Sequence, residues 1–404
     1  MLEGLKVVEL ATYIAAPGAA GILADWGAEV VKIEPPEGDP IRLFFESIGA
    51  DTGANPVFEL DNRGKRGMAL DLSKPEGRDA LLKLLAGADV FLTNLRPGAL
   101  ARARLDYATL KDDFPSLIYA SVTGYGLEGP DADRAGFDVA AFWSRSGVAA
   151  LTTPKGQEPF PIRTAMGDHI CSLATCSAIL AAVVERSRTG VGRLVETSLM
   201  RAGVYAVGSD LAIAARFGKV ASNRPRKEAV NPLANFFHTK DGRWLCLIPR
   251  QGSGDWPKVA RAAGRPELLD DPRFASAKER RANTPALVEA LDAGFGALTF
   301  AEAAARLDVE DVAWAPVQSA LEVLADPQAA AAGCFVETPD GHGGTFKAPA
   351  APARFPGADD GPKGPAPRVD QHTDEILAEL GYDAAAIAHL RATGVAGARS
   401  KRVS

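Results

Sequence analysis

Over its first 125 residues the chain alternates short β-branched runs with helix-length stretches, and few folds accept that rhythm. Val7-Val8-Glu9-Leu10, Glu29 to Ile33, Met68 to Leu72, Val90 to Thr93 and Leu117 to Val122 read as strands. Pro17 to Trp26 reads as a helix, and Ser73-Lys74-Pro75-Glu76 has the form of a capping box opening another helix through Leu85. Strands separated by helices cannot pair through tight hairpins. They pair in parallel through crossovers that cover both faces of a sheet. The expectation is a large α/β domain with a Rossmann-like parallel sheet. The first crossover reads Ala16-Pro17-Gly18-Ala19-Ala20-Gly21, which is not Gly-x-Gly-x-x-Gly. The turn lacks the glycine that lets a pyrophosphate reach the backbone, so the topology does not bring NAD binding with it.

Further on, a small-residue helix spans His169 to Arg186 and leads through Arg188-Thr189-Gly190 into the strand-like Leu194-Val195-Glu196. A second helical stretch covers 198–216. Composition then shifts. Ser222 to Pro232 is a polar linker, and Phe236 to Ile248 reads as a hairpin around Lys240-Asp241-Gly242. Short helices follow over Asp255 to Ala263, over Pro285 to Ala293, and behind a Thr299–Glu302 cap. This predicts a smaller α+β domain at 221–325, with the large domain built from 1–220 and 326–404. The chain leaves the small domain near Leu324-Ala325-Asp326-Pro327, and Gly357 to Pro367 suits an extended surface connection. Helices start at Thr373 and Ala384, and Ala396 to Ser404 is expected to fray.

A net charge of −6 gives no reason to expect nucleic acid as a partner. Cys171, Cys176, Cys246 and Cys334 show no Cys-x-x-Cys spacing, and five scattered histidines make no metal cluster. The N-terminus enters a strand at once, without the regions of a signal peptide, and the apolar run Ile170 to Val184 is short for a membrane span. A cytoplasmic protein without membrane partner is the expectation.

Asp168 closes the run Arg163-Thr164-Ala165-Met166-Gly167-Asp168 at the mouth of the small-residue helix. Helix-terminal N–H groups favour an ionised carboxylate there, which can act as an anion, a base or a nucleophile. Asp is equally a preferred N-cap, and spacing alone leaves both readings open.

Several blocks then bear on family. They are Leu2-Glu3-Gly4-Leu5-Lys6-Val7-Val8-Glu9-Leu10 with Ala16-Pro17-Gly18, and Gly27-Ala28-Glu29-Val30-Val31-Lys32-Ile33-Glu34-Pro35-Pro36. Asn62-Arg63-Gly64-Lys65-Arg66 with Leu70-Asp71-Leu72, Asn94-Leu95-Arg96-Pro97-Gly98-Ala99, and Ser121-Val122-Thr123-Gly124-Tyr125-Gly126 follow. Gln371-His372-Thr373-Asp374-Glu375-Ile376-Leu377 with Leu380-Gly381-Tyr382 closes the series. In this order, over nearly the whole chain, they resemble the class III CoA-transferases, a family that also holds the α-methylacyl-CoA racemases. The resemblance implies that Asp168 is the nucleophile and that CoA passes from an acyl-CoA to a carboxylic acid through an aspartyl mixed anhydride and an aspartyl-CoA thioester. CoA and acyl-CoA are then substrates, with no permanently bound cofactor. It further implies CoA contacts at Ile14, Ala15, Leu70, Asp71, Leu72, Ser73, Asn94, Leu95, Arg102 and Arg134, with Arg102 suited to a phosphate and Arg96, Arg134 and Arg145 as candidates for phosphate or substrate carboxylate. The family's assembly, a homodimer of interlocked rings, is implied with it.

The racemase branch needs a second acid/base, a histidine in a Gly-His-Asp run. The corresponding run here is Gly136-Phe137-Asp138, and phenylalanine cannot exchange a proton. No histidine lies between Met1 and Gly167. His169 diverges from its neighbour on a helix and reads as structural. The formyl/oxalyl type carries a mobile glycine run, whereas the linker here reads Lys227-Glu228-Ala229-Val230-Asn231-Pro232, and Gln251-Gly252-Ser253-Gly254 comes later. Phe142, Trp143 and Phe236 are candidates for either core or acid pocket. A transferase is favoured over an isomerase or racemase of the same family and over a non-catalytic acyl-CoA binding protein.

Overall fold

In a computed structural model, which describes residues 1–50, 53–249 and 254–399, the alternation becomes a six-stranded parallel sheet. Its strands are β1 (Lys6–Leu10), β2 (Glu29–Glu34), β3 (Arg66–Ala69), β4 (Val90–Thr93), β5 (Ile118–Thr123) and β6 (Leu194–Ser198). They lie in the order β3-β2-β1-β4-β5-β6, and every pairing is parallel. The helices that position the site are α1 (Ala15–Asp25), α2 (Pro56–Asn62), α3 (Pro75–Leu85), α4 (Pro97–Ala103), α5 (Met166–Thr189), α6 (Leu199–Ala206) and α7 (Gly208–Phe217).

Successive strand residues point to opposite faces, and both faces are covered, which is why the strands read as nearly continuous apolar runs. Val7, Val30, Leu92, Ile118 and Val122 pack with α1 and α5. Val8, Leu10, Ile33, Met68, Phe91 and Tyr119 pack with α3 and the C-terminal helices Thr373–Glu379 and Ala384–Ala392. The small residues of α1 let α5 and α2 come close. A Cβ on Gly18 would lie 2.7 Å from Ser172 Oγ, and one on Gly21 would lie 2.8 Å from the Asp61 carbonyl oxygen. By length and hydropathy α5 would also fit a membrane span, but Cys171, Thr175, Cys176, Ile179 and Ala182 form a buried face against the core.

Chain contacts divide the molecule into two units: Met1–Ala150 with Phe160–Gly218 and Pro327–Ser404, and Leu151–Pro159 with Lys219–Asp326. The second unit holds an antiparallel sheet of β7 (Asn235–His238), β8 (Trp244–Leu247) and β9 (Trp314–Pro316), with β7 and β8 turning over Lys240-Asp241-Gly242. Helices Trp256–Ala262, Thr284–Phe295 and Phe300–Val309 pack on it around Phe237, Phe274, Leu287 and Phe295. Thr299 and Glu302 form the expected reciprocal cap. Residues 151–159 join this unit through Lys155 N–H to the Asn223 carbonyl and Asn223 Nδ2 to the Thr152 carbonyl. Gln251, Gly252 and Ser253 lie outside the described residues.

Four local expectations are corrected. The α3 helix starts at Pro75 behind Lys74, without a side-chain cap; Ser73 sits one residue too early and its Oγ donates to Asp71 Oδ1 instead (2.5 Å). Strand β3 stops at Ala69; Leu70 N–H still donates to the Glu34 carbonyl of β2, while Leu70 forms an antiparallel bridge with Ala396. The stretch 198–216 breaks at Val207 into α6 and α7. Residues 396–399 are docked rather than frayed: Gly397 N–H donates to the Ala69 carbonyl, Arg399 N–H to the Pro36 carbonyl, and the Arg399 guanidinium to Asp71 Oδ2 (2.7 Å). The expected fraying at 400–404 falls outside the described residues.

Candidate active site

The strand order fixes where a ligand can lie. From β1 the chain builds outward to β3, then returns to lay β4 on the other side of β1. Loops leaving β1 and β4 therefore diverge, and a crevice opens at the carboxyl edge between them. Asn94, just past β4, ties the two loops together: its Oδ1 accepts from Thr12 N–H (3.0 Å) and its Nδ2 donates to the Thr12 carbonyl (2.6 Å). The crevice is a cavity of about 560 Å3, whose wall includes Tyr13, Ile14, Ala15, Asn94, Leu95, Arg96, Arg134, Phe137, Asp138 and Asp168.

Asp168 is the third residue of α5. The N-cap position belongs to Ala165, at φ 67° and without a side-chain cap bond, so Asp168 does not cap the helix. Burial, then the nearby Asp138 carboxylate, push the Asp168 carboxyl up to about 7; His169 opposes the rise and Asp61 adds to it. The favourable helix N-terminus is thus outweighed, because removing a carboxylate from water costs more than first-turn N–H groups return. Among the described residues no lysine or arginine forms an ion pair with Asp168.

Asp138 precedes a π-helical turn, Val139–Arg145. Its Oδ1 accepts from Val139 N–H (2.7 Å) and its Oδ2 from Gly167 N–H (3.3 Å), which pins the start of α5 to that turn. Gly167 is required for the approach: a Cβ there would lie 2.7 Å from the Phe142 ring and 2.8 Å from Asp138 Cβ. One position along α5, His169 turns away. It lines a separate cavity of about 190 Å3, and its Nε2 lies 3.2 Å from Asp61 Oδ1. Burial pulls its pKa down, but Asp61 more than offsets this and leaves it raised.

Comparison with known proteins agrees with this geometry. The sequence profile of CoA-transferase family III matches residues 2–373. The chain belongs to CoA-transferase family III. It is 36% identical over 386 residues to (R)-2-hydroxy-4-methylpentanoate CoA-transferase of Clostridioides difficile, covering 95% of this chain and 96% of that protein. It is 30% identical over 389 residues to succinate–glutarate CoA-transferase of Agrobacterium fabrum, covering 94% and 95%. A crystal structure of a CaiB/BaiF family protein from Brucella suis superposes with a TM-score of 0.84 at 32% identity, covering 94% of this chain and 99% of that one. The protein is accordingly an enzyme of the CoA-transferase class.

Of the CoA contacts expected from the family III resemblance, Ile14, Ala15, Asn94, Leu95 and Arg134 share the cavity wall with Asp168. Leu70, Asp71, Leu72, Ser73 and Arg102 do not line it. Leu70 is core, and Asp71 is held by Arg399 and Ser73. Arg102 is exposed in the last turn of α4. These residues follow β3 and β4, so they occupy the same carboxyl edge of the sheet. Arg145 and Arg134 both pair with Asp131, while Arg96 lines the cavity. Phe142 and Trp143 belong to the core, with Trp143 Nε1 donating to the Phe160 carbonyl. Phe236 stands on β7 of the second unit, half exposed.

Sequence reasoning overlooked three features. Asp138 stands beside Phe137 in a run read only for its missing histidine. Tyr13 meets Phe137 edge to face in the cavity wall. A buried charge cluster lies beneath: Lys32 Nζ meets Glu9 Oε1 (2.8 Å) and Asp39 Oδ2 (2.9 Å), and Lys65 Nζ meets Glu9 Oε2 (2.6 Å). The available signal was a glutamate and a lysine inside two apolar strands, which pair directly as Glu9 and Lys32 across β1 and β2. Among the described residues no group of three or more His, Cys, Asp or Glu is arranged to hold a metal ion.

Proposed function

We propose that this chain moves coenzyme A from an acyl-CoA to a free carboxylic acid with Asp168 as the covalent carrier. The observation that carries the reading is a mostly buried carboxylate, without a cationic partner, in the wall of the switch-point cavity. Desolvation and the Asp138 charge make this carboxylate more basic, and so more nucleophilic, than one in water, while a pKa near 7 leaves a large ionised fraction at neutral pH.

The steps balance without ATP. An ionised Asp168 oxygen attacks the thioester carbonyl; the C–S bond breaks, leaving an aspartyl–acyl anhydride and CoA thiolate. The thiolate attacks the aspartyl carbonyl, forming aspartyl-CoA thioester and releasing the donor acid. The acceptor carboxylate attacks that thioester, giving a second anhydride and thiolate. Attack of the thiolate on the acceptor acyl carbon forms the new acyl-CoA and restores Asp168. Each step exchanges one activated acyl bond for another. Each tetrahedral intermediate needs N–H donors for its oxyanion, and we assign these to the Ala165 and Asp168 N–H groups, since Met166 and Gly167 N–H already donate to the Arg163 carbonyl and to Asp138 Oδ2. For the CoA moiety we propose a path along the carboxyl edge of the sheet, from Ile14-Ala15 and Asn94-Leu95 toward Leu70–Ser73, with Arg102 and Arg134 available to phosphates.

Several coarser expectations belong to the same proposal. A large CoA-binding domain (1–220 with 326–404) and a small one (221–325) act together in an interlocked homodimer. Support for a second subunit comes from α7, which buries none of its residues in the single chain, and from exposed Tyr205, Ile213 and Phe217. A cytoplasmic location is supported by four free cysteines.

The racemase alternative needs a second proton carrier in the cavity. Among the described residues its wall holds no histidine, and both Asp138 oxygens accept from backbone N–H groups. Peptide mass spectrometry after incubation with mixed acyl-CoAs and hydroxylamine tests the proposal: a hydroxamate on Asp168 is expected. An unmodified Asp168 with CoA binding intact would turn the reading toward a binding protein, and α-proton exchange from deuterated water without an acceptor acid would turn it toward an isomerase.

A further inference from the structure

We infer that Tyr13 and Phe137 together select the acid, favouring monocarboxylic acids with a branched or aromatic apolar side chain over dicarboxylic acids. The inference rests on the proposed transfer through Asp168 and adds the substrate class. The two rings meet edge to face, with centroids 5.5 Å apart and planes at 89°, and both line the cavity that holds Asp168. They are 41% and 56% exposed, so the pair presents apolar surface to a ligand instead of filling the core.

Tyr13 is held there at a conformational cost. It is a non-glycine residue in the left-handed region, at φ 63°, and such strain persists only where surrounding structure enforces it. The enforcing group is Asp39, whose Oδ1 accepts from Tyr13 N–H (3.1 Å) and from Ile41 N–H (3.1 Å). Asp39 is itself fixed by Lys32 in the buried charge cluster. The Tyr13 backbone is therefore tied through Asp39 to the buried charge cluster.

Part of the wall that holds Asp168 is apolar. Ile14, Ile41 and Ala165 pack together with Phe44 at its margin, and Ile162 and Leu199 line the same cavity. The charges that act on Asp168 come from Asp138, His169 and Asp61, and His169 is already paired with Asp61. A second carboxylate on the acceptor would lose water against this wall and face the Asp138 carboxylate there. A methyl or phenyl group would bury apolar area against the rings. Arg96 and Arg134 line the same cavity, and we assign them to the anionic part of CoA.

The test is steady-state transfer by the full-length protein, using whichever of acetyl-CoA, butanoyl-CoA and succinyl-CoA donates best. Acceptors are propanoate, 4-methylpentanoate, 3-phenylpropanoate, succinate and glutarate. Wild-type kcat/KM is expected to be at least about tenfold higher for 4-methylpentanoate or 3-phenylpropanoate than for succinate and glutarate. Phe137→Ala and Tyr13→Gly, the latter suited to the backbone angle, are each expected to cut the ratio of kcat/KM for 3-phenylpropanoate over propanoate by about tenfold or more. Circular dichroism confirms that both variants are folded; Phe137→Leu serves as a milder second variant and should lower the aromatic-to-branched ratio alone. Preference for a dicarboxylic acid, or acid ratios unchanged in folded variants, overturns the selector while leaving transfer through Asp168 standing. Failure of every donor and acceptor pair overturns the transfer reading and the selector together.

Discussion

Glu9 and Asp168 are carboxylates in the same unit, one fully buried and the other mostly so, yet their surroundings drive them to opposite states. Burial pushes both toward the neutral acid. At Glu9, Lys32 and Lys65 more than offset that push and hold the carboxyl below its ordinary range. At Asp168 burial is joined by the Asp138 charge, and the carboxyl rises to about 7. The cost of cluster formation falls partly on Lys65, whose ammonium is pulled down to about 8 by burial, against the attraction of Glu9. The lesson is that burial alone does not mark a reactive group. Missing ion-pair partners do: a buried carboxylate paired with two lysines is scaffold, and one without a lysine or arginine partner is primed for chemistry.

The contrast can be broken in four graded ways. The largest effect is on turnover by Asp168→Asn, which removes the carrier and should lower kcat for CoA transfer on the order of 10^4-fold or more, read in a coupled acyl-CoA assay. Residual turnover near the wild-type value would show that the carrier lies elsewhere. Glu9→Gln should leave two buried ammonium groups with too little negative charge, costing about 3–5 kcal/mol of unfolding free energy in urea titration. A wild-type urea midpoint for this variant would remove the scaffold half of the comparison.

Asp168→Asn should also be more stable than wild type at neutral pH. The folded pKa near 7 exceeds the ordinary 3.8, so between those values the folded state holds a proton that the unfolded state has released. Stability therefore falls as pH rises from about 4 to about 7, and the full cost is present above 7. The variant should escape a cost on the order of 2 kcal/mol at pH 8 and lose that advantage near pH 4. Denaturation midpoints at the two pH values check the sign. The smallest effect is expected of Asp138→Asn. Since transfer needs ionised Asp168, activity falls as pH drops through its pKa, and removing the Asp138 charge should move that acid limb to lower pH. A limb that stays in place, or moves upward, would mean that Asp138 acts only by holding Gly167 N–H.

Much of the fold was legible in the chain because burial on both sheet faces writes unbroken apolar runs, and crossovers write helix-length gaps between them. Val7 to Leu10 and Val90 to Thr93 were read to within a residue. The Ser73 cap failed because Ser, Lys and Pro in sequence fit two helix starts, and Pro75, which needs no N–H partner, took the first position. Fraying at Ala396 failed because its partners, Ala69, Pro36 and Asp71, lie hundreds of residues earlier, and nothing local records them.

By itself the sequence determined the alternation of strand and helix, the kinship with family III, and an aspartate at the mouth of a long helix. These follow from local spacing and ordered motifs, which a linear chain carries directly. Only the tertiary structure decided that β4 returns beside β1, opening the crevice, and that Asp168 faces into it while His169 turns to Asp61. It also decided that Tyr13 and Phe137, 124 positions apart in the chain, meet ring to ring. The reason is physical: a pKa, a cavity wall and a ring contact depend on distances through space, which the order of residues constrains but does not state.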